Sequence, residues 1–422
     1  MGLRHTAATA LLCALCTMVA LPSACCYDLH VPSAYASLGS AIADAEDGDS
    51  ILIAPGVYSG AGWSDLEVTD LTFVSIIGTG GSAATVVSVN FEGSFIKFSH
   101  HDGVVANGRA FTLQGLTVVG AFQEDASGSG VLARDVDLVL SDLVFSIALA
   151  TFNNDAVRQL QLPDLPPVGG GAIAVYNASK VQATGVVVTD SEATDSVGGG
   201  MLFYQCTNVT VEDSTFGVSG AAQGGAIAVL NSRGVTFRNI HMTDAYSTGA
   251  GAGLYFATVS DLRIDSVSCT GCESLRGRSG WSGLASCCTL SQLTVPLNTP
   301  GAGMYMYHVT DAVVEDVVVQ DSAPIVRGDP EFLYGGALYM VASNTTFNRV
   351  NVSGCTSVDG ALYLRTSALQ RARVCVWLCV CGCMALWLCG FVLAPQAPPS
   401  HIMPWRIQLM TAPYPRRPSS IT

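Results

Sequence analysis

The chain has 422 residues, a net charge of −14, 12% charged residues and 44 glycines. Its only lysines are Lys97 and Lys180, which argues against nucleic acid or anionic membrane surfaces as partners. So little charge with so much glycine suits strands and sharp corners, and leaves scant material for long polar helices.

Residues 1–24 carry Arg4 and His5, an apolar run from Ala7 to Leu21, and small residues at Ser23 and Ala24. That order predicts a secretory signal peptide, and with it an extracellular or cell-surface location. From Ser37 to Tyr58 the chain reads SLGSAIADAEDGDSILIAPGVY. Leu38, Ala41, Ile42 and Ala45 share one face of a short helix, Asp47-Gly48 ends it, and Ile51 and Ile53 alternate into a strand. Alternating stretches follow between 66 and 120 and again from Val131 to Phe145. Phe152–Pro167, Gly277–Cys288 and Pro324–Tyr334 break the alternation and read as lateral excursions.

A phrase then recurs: GGGAIAVY from Gly169, GGGMLFY from Gly198, GGAIAVL from Gly224, GAGLYF from Gly251, GAGMYMY from Gly301, GGALYM from Gly335 and DGALYL from Asp359. Taking Ile173, Leu202, Ile227, Leu254, Met304, Leu338 and Leu362 as the first core position gives spacings of 29, 25, 27, 50, 34 and 24 residues. The 50-residue interval is expected to hold two turns, the hidden one around Leu290–Val295. A unit of this length cannot bury its own apolar face, whereas stacked units share one core and hydrogen-bond to each other. The predicted fold is all-β: a right-handed parallel β-helix solenoid over residues 35–368, with a short N-terminal capping helix.

Residues 374–393 are apolar, uncharged and long enough to span a bilayer. Two readings stand: a single-pass membrane anchor, or a translated GT-rich intron that interrupts the last repeat. Residues 394–422 are expected to be an unstructured tail.

The run Ala41, Ile42, Ala45, Gly48, Asp49, Ile51, Pro55, Gly56 and Tyr58 resembles the opening turn of the pectin-lyase-like superfamily of right-handed β-helices. The GGAI stretches Gly170–Ile173 and Gly224–Ile227 are similar to repeats of polymorphic outer-membrane and related surface proteins. These resemblances imply a polysaccharide or an extracellular protein as partner. They also imply catalytic motifs, none of which is complete in this chain. Gln320-Asp321 matches half of a pectin methylesterase pair, and Arg263-Ile264-Asp265 is a fragment of a polygalacturonase motif.

Binding candidates come from the alternation. One residue after each core position stand Ala174, Phe203, Ala228, Tyr255, Tyr305, Tyr339 and Tyr363, which would form an aromatic column on an outer sheet face. Such a column stabilises a sheet, and it is also what a polysaccharide or partner protein docks on. Asp190, Asp244 and Asp321 end their strands where Gly220, Gly271 and Gly354 stand in other turns. Asp alternating with Gly marks a left-handed corner; the other reading is a ladder for sugar hydroxyls or Ca²⁺. No cofactor is predicted apart from that ion.

Cys269, Cys272, Cys287 and Cys288 are disulfide candidates, with the second pair able to pin its excursion to the wall. Asn177, Asn208, Asn344 and Asn351 head glycosylation sequons. The functional expectation is a secreted or cell-surface β-helix that binds polysaccharide or partner proteins without catalysis. The alternative is an extracellular polysaccharide lyase or hydrolase with a diverged active site.

Overall fold

A computed structural model of the chain describes residues 26–69, 71–100, 110–124, 127–151, 169–276, 303–321, 323–326, 338–353, 362–366, 372–379 and 385–392. Its organising stack consists of strands laid one on the next, the first five each entered through a left-handed glycine. They are β1 (Val131–Arg134), β2 (Ile173–Tyr176), β3 (Met201–Tyr204), β4 (Ile227–Leu230), β5 (Leu254–Ala257), β6 (Met304–Glu315), β7 (Leu338–Asn348) and β8 (Leu362–Thr366). Every neighbouring pair in that order is parallel. Longer strands build the other walls in the same parallel manner, among them Val181–Val197, Thr207–Gln223, Arg233–Thr243 and Ser260–Thr270.

Alternation decides what the coil encloses. Ile173, Met201, Ile227, Leu254 and Met304 stack in one interior column, with Val175, Phe203, Val229, Phe256 and Met306 beside them. Val188, Phe216, Met242, Cys269 and Val319 close the lumen from the opposite wall. At about 25 cal/mol per Å² of apolar surface removed from water, this continuous interior is the main favourable contribution to folding.

The N-terminal end is closed as its pattern predicts. Helix α1 (Leu38–Asp44) is capped by Ser37, whose side chain accepts from the Ser40 backbone N–H. Leu38 and Ala41 are buried, and Ile42 and Ala45 pack against the core. Ile51 and Ile53 point into the lumen from Ser50–Ile53, which is sandwiched between Asp28–Val31 and Ser75–Gly78.

Two sequence expectations need correction. β5 pairs directly with β6, Leu254 against Met304, so the 50-residue interval is a single turn. The proposed extra turn at 290–295 lies outside the described residues. Ala323–Val326 pairs with Glu273–Arg276, so Pro324 belongs to a strand of the stack and not to an excursion. The stretch 374–393 holds two antiparallel strands, Ala372–Cys379 and Ala385–Val392. Among the described residues no helix is long and apolar enough to cross a membrane. The residues expected to form a signal peptide (1–24) and a tail (394–422) lie outside the described residues.

Candidate functional site

The glycine corners determine which side chains reach the outer face of the β1–β6 stack. Gly198 has φ +68°, and a Cβ there would sit 2.2 Å from the Met201 carbonyl oxygen. Three residues after this corner comes the first interior residue. Counting the same way from Gly170, Gly224 and Gly251 gives Ile173, Ile227 and Leu254.

That register corrects the aromatic column. Met201, not Leu202, stands beside Ile173 and Ile227, so Phe203 points into the lumen and is fully buried. The outward column is Leu132, Ala174, Leu202, Ala228, Tyr255 and Tyr305, and the backbone positions of Tyr339 and Tyr363 continue it. Tyr255 and Tyr305 do face away from the lumen, yet they are 0% and 1% exposed. They belong to a second apolar cluster with Ala174, Leu202, Ala228 and Leu230, separate from the lumen. An open ladder of exposed rings is therefore not what stands here.

Within that cluster Tyr255 and Tyr305 stack face to face, centroids 5.2 Å apart and planes 5° from parallel. The Tyr255 hydroxyl is buried and has no hydrogen-bond partner among the described residues. Burial, and after it the neighbouring Tyr307 phenol, pushes its pKa well above the ordinary tyrosine range.

A second outward column, two residues further along each strand, was missed from sequence. It reads Arg134, Tyr176, Tyr204, Leu230, Ala257 and Tyr307. Tyr204 and Tyr307 are half-buried rings packed against the second cluster. Tyr176 is held more firmly: its hydroxyl lies 2.6 Å from Ser127 Oγ, and the Arg134 guanidinium sits 5.2 Å from its ring centre. Burial raises its pKa to about 12 against the opposing pull of those two neighbours. Tyr307 stacks on exposed His308 at 3.9 Å. The signal available in sequence was the last residue of each short strand, which two-residue alternation places on the same side as the tyrosine column.

The acidic corner is real and differs in membership. Asp190, Asp244 and Asp321 have φ of 55°, 53° and 50°, the left-handed geometry expected of them. Register puts Ile147, Asp190, Val218, Asp244, Gly271 and Asp321 in one column, so Val218 takes the place assigned to Gly220. Gly220 stands opposite Tyr246 instead, and Gly354 lies outside the described residues. No two of these aspartates occupy adjacent turns, so at about 4.8 Å per turn they stand about 10 Å apart. Among the described residues no group of three or more His, Cys, Asp or Glu side chains is placed to hold a metal ion.

Cys269 is bonded to Cys272, which corrects the pairing proposed with Cys287 and Cys288; those two lie outside the described residues. Cys206 is buried beside the Tyr204 carbonyl, and burial pushes its thiol up to about 11. Asn177 and Asn208 are exposed at left-handed corners, with Nδ2 donating to Asp135 Oδ1 at 3.0 Å and to the Ser179 carbonyl at 3.2 Å. Asn344 lies within β7, and Asn351 opens the next strand with its Oδ1 buried.

A family model described as "Right handed beta helix region" matches residues 153–357. Solved structures similar to the chain include the catalytic domain of GH87 alpha-1,3-glucanase in complex with nigerose, at 12% identity over 79% of this chain and 59% of that one, TM-score 0.40. Asp-to-Ala variants of that domain also match. The complex with nigerose has 13% identity, the same coverage of 79% and 59%, and TM-score 0.42. The complex with tetrasaccharides has 13% identity, again 79% and 59%, and TM-score 0.38. This chain thus spans 59% of the length of those proteins, and the likeness is one of fold alone. No curated protein matches the chain. The fold is a right-handed parallel β-helix.

Proposed function

We propose that this right-handed β-helix is an extracellular protein that binds polysaccharide along the outer face of β1–β6 without cleaving it. The observation that supports the reading is the outward column Tyr204, Leu230, Ala257, Tyr307. Two half-exposed rings bracket two buried apolar residues, Leu230 and Ala257, three strand steps apart, a span of about 14 Å. Flat amphipathic rings at that separation suit an extended sugar chain, whose apolar ring faces stack while its hydroxyls stay wet. The Cys269–Cys272 bond supports an oxidising compartment.

Affinity electrophoresis against a panel of soluble polysaccharides tests the proposal. Tyr204→Ala and Tyr307→Ala are each expected to weaken retention about five- to tenfold, the worth of a lost stacking contact, with the β-sheet spectrum unchanged. Retention equal to wild type in both variants removes the site. Release of reducing or unsaturated sugars replaces the binding reading with a lyase or hydrolase.

A further inference from the structure

We infer that the left-handed corner row through Phe91, Ile147 and Val218 docks a protein partner, by way of an amphipathic helix whose apolar side chains are flanked by lysine or arginine. The row belongs to other strands than the β1–β6 face, and the inference stands apart from the polysaccharide reading.

Ile147, Asp190, Val218 and Asp244 occupy successive turns at one corner. Gly120 stands opposite Ile147 and carries the row one turn back. Phe91 carries it one turn further: its amide donates to the Gly120 carbonyl at 2.7 Å, and a Cβ on Gly120 would meet the Phe91 ring at 3.4 Å. Every residue of the row has a positive φ. Glycine and aspartate hold such a backbone at little cost, whereas phenylalanine, isoleucine and valine hold it against steric opposition. Those three are also exposed, and they are three of the five large apolar side chains exposed among the described residues. Each is thus unfavourable twice, in its backbone and in its contact with water. Such residues recurring at every second turn, where glycine or aspartate serves in between, point to a use outside the folded chain.

Spacing selects the partner's form. At about 4.8 Å per turn, Phe91, Ile147 and Val218 stand about 10 Å apart. Seven residues of α-helix rise about 10.5 Å, so a helix laid along the row brings one apolar residue per heptad to each of the three. Same-face residues of an extended strand recur about every 7 Å and fall out of step. Branched aliphatic side chains, for their part, offer a sugar no flat ring to stack on.

Charge selects its chemistry. Asp190 and Asp244 are exposed within the row, Glu92 is exposed beside Phe91, and Glu192 and Glu273 stand in the outward column just past the corner. The outward columns on either side, through Thr189 and through Glu192, hold no lysine or arginine in any described turn. His241 stands one column further out, its Nδ1 2.8 Å from Ser268 Oγ. An acidic border around an apolar row suits cationic side chains beside the partner's apolar ones. A second copy of this chain, at net charge −14, would bring like charge to it.

The test uses the full chain and three fluorescent peptides of about three heptads each: one with leucine along one helical face and lysine beside it, one with glutamate in place of lysine, and the lysine peptide scrambled. Fluorescence anisotropy is expected to show binding of the lysine peptide, weakened by added salt, and none of the other two. Ile147→Asn and Val218→Asn are each expected to weaken it about tenfold, and together about a hundredfold, with unfolding midpoints unchanged or higher and polysaccharide retention unchanged. Undiminished affinity in the double variant overturns the site. A lower unfolding midpoint in either variant overturns it too, since the side chain would then serve the fold. Equal binding of the glutamate peptide overturns the cationic partner; equal binding of the scrambled peptide, or no binding of the lysine peptide, overturns the helix. Polysaccharide retention lost in the double variant gives the row to a glycan instead, and a dimer in sedimentation that the variants dissolve gives it to a second copy; either result replaces the proposal.

Discussion

Val218 holds a φ of 43° and is 47% exposed. A β-branched residue in the left-handed region brings its side chain against its own carbonyl, at a cost of about 1–2 kcal/mol, and an exposed side chain recovers little of that by burial. Ile147 repeats the situation two turns earlier in the same column, at φ 56° and 38% exposed. Asp190 and Asp244 on either side of Val218 show the inexpensive solutions: a short polar side chain tolerates this backbone. Replacing Val218 with asparagine should raise stability by about 1 kcal/mol. Urea unfolding checks it: the midpoint should move up with an unchanged slope, and a fall would mean that the valine side chain makes a contact worth more than its strain. The corner's geometry was legible from its aspartates and glycines. Its membership was not, because a valine in sequence signals extended strand and gives no hint of a corner.

At the level of the strand, register is the quantity that sequence reading got partly wrong, and the error was a single residue. Anchoring on the apolar phrase placed Leu202 in the core, whereas the structure places Met201 there. One step along a strand exchanges its two faces, so Phe203 moved from the surface to the lumen. The left-handed glycine was the better anchor, since it precedes the interior residue by the same interval in four successive turns. In the phrase from Gly198 three glycines in a row obscure which one turns the corner. Gly198→Ala should therefore act on β3 as a whole. The new Cβ would meet the Met201 carbonyl at 2.2 Å, on a backbone with φ +68°. With the left-handed penalty and the clash acting together, at least about 2 kcal/mol of stability should be lost. Denaturant titration with hydrogen exchange should find protection falling first in β3 and its neighbours β2 and β4. Charge contributes far less at this scale. Arg238 lies between Glu212 at 2.9 Å and Asp265 at 3.9 Å on adjacent turns, but its side chain is 51% exposed. Pairs so open to solvent are worth roughly 0–1 kcal/mol each, too little to set the register that the lumen already imposes.

On the scale of the whole molecule, the β-helix grows by addition, each turn touching only the turn above and the turn below. Four successive turns were readable from glycine spacing because Gly170, Gly198, Gly224 and Gly251 meet the same steric problem at the same corner. The 50-residue turn was misread because spacing alone cannot separate two short turns from one turn with a long insertion; the direct pairing of Leu254 with Met304 does. Linear growth makes a whole turn removable. Excising residues 201–226 joins Gly200 to Ile227, preserves the glycine corner, and lets β2 meet β4 in the register that β3 used on both sides. On the other wall Val188 would then face Met242, the residue now paired with Phe216. Each surviving strand keeps a parallel neighbour and each surviving apolar residue keeps its column, so the shortened chain should fold to a β-sheet circular-dichroism spectrum. Its urea m-value should fall in proportion to the apolar surface removed. Excising only residues 201–213 takes out part of a turn, leaves the corners of successive coils out of line, and should abolish cooperative unfolding. Equal disruption by the two deletions would mean that the turns are not interchangeable, and that stability resides in contacts running further than one turn along the stack.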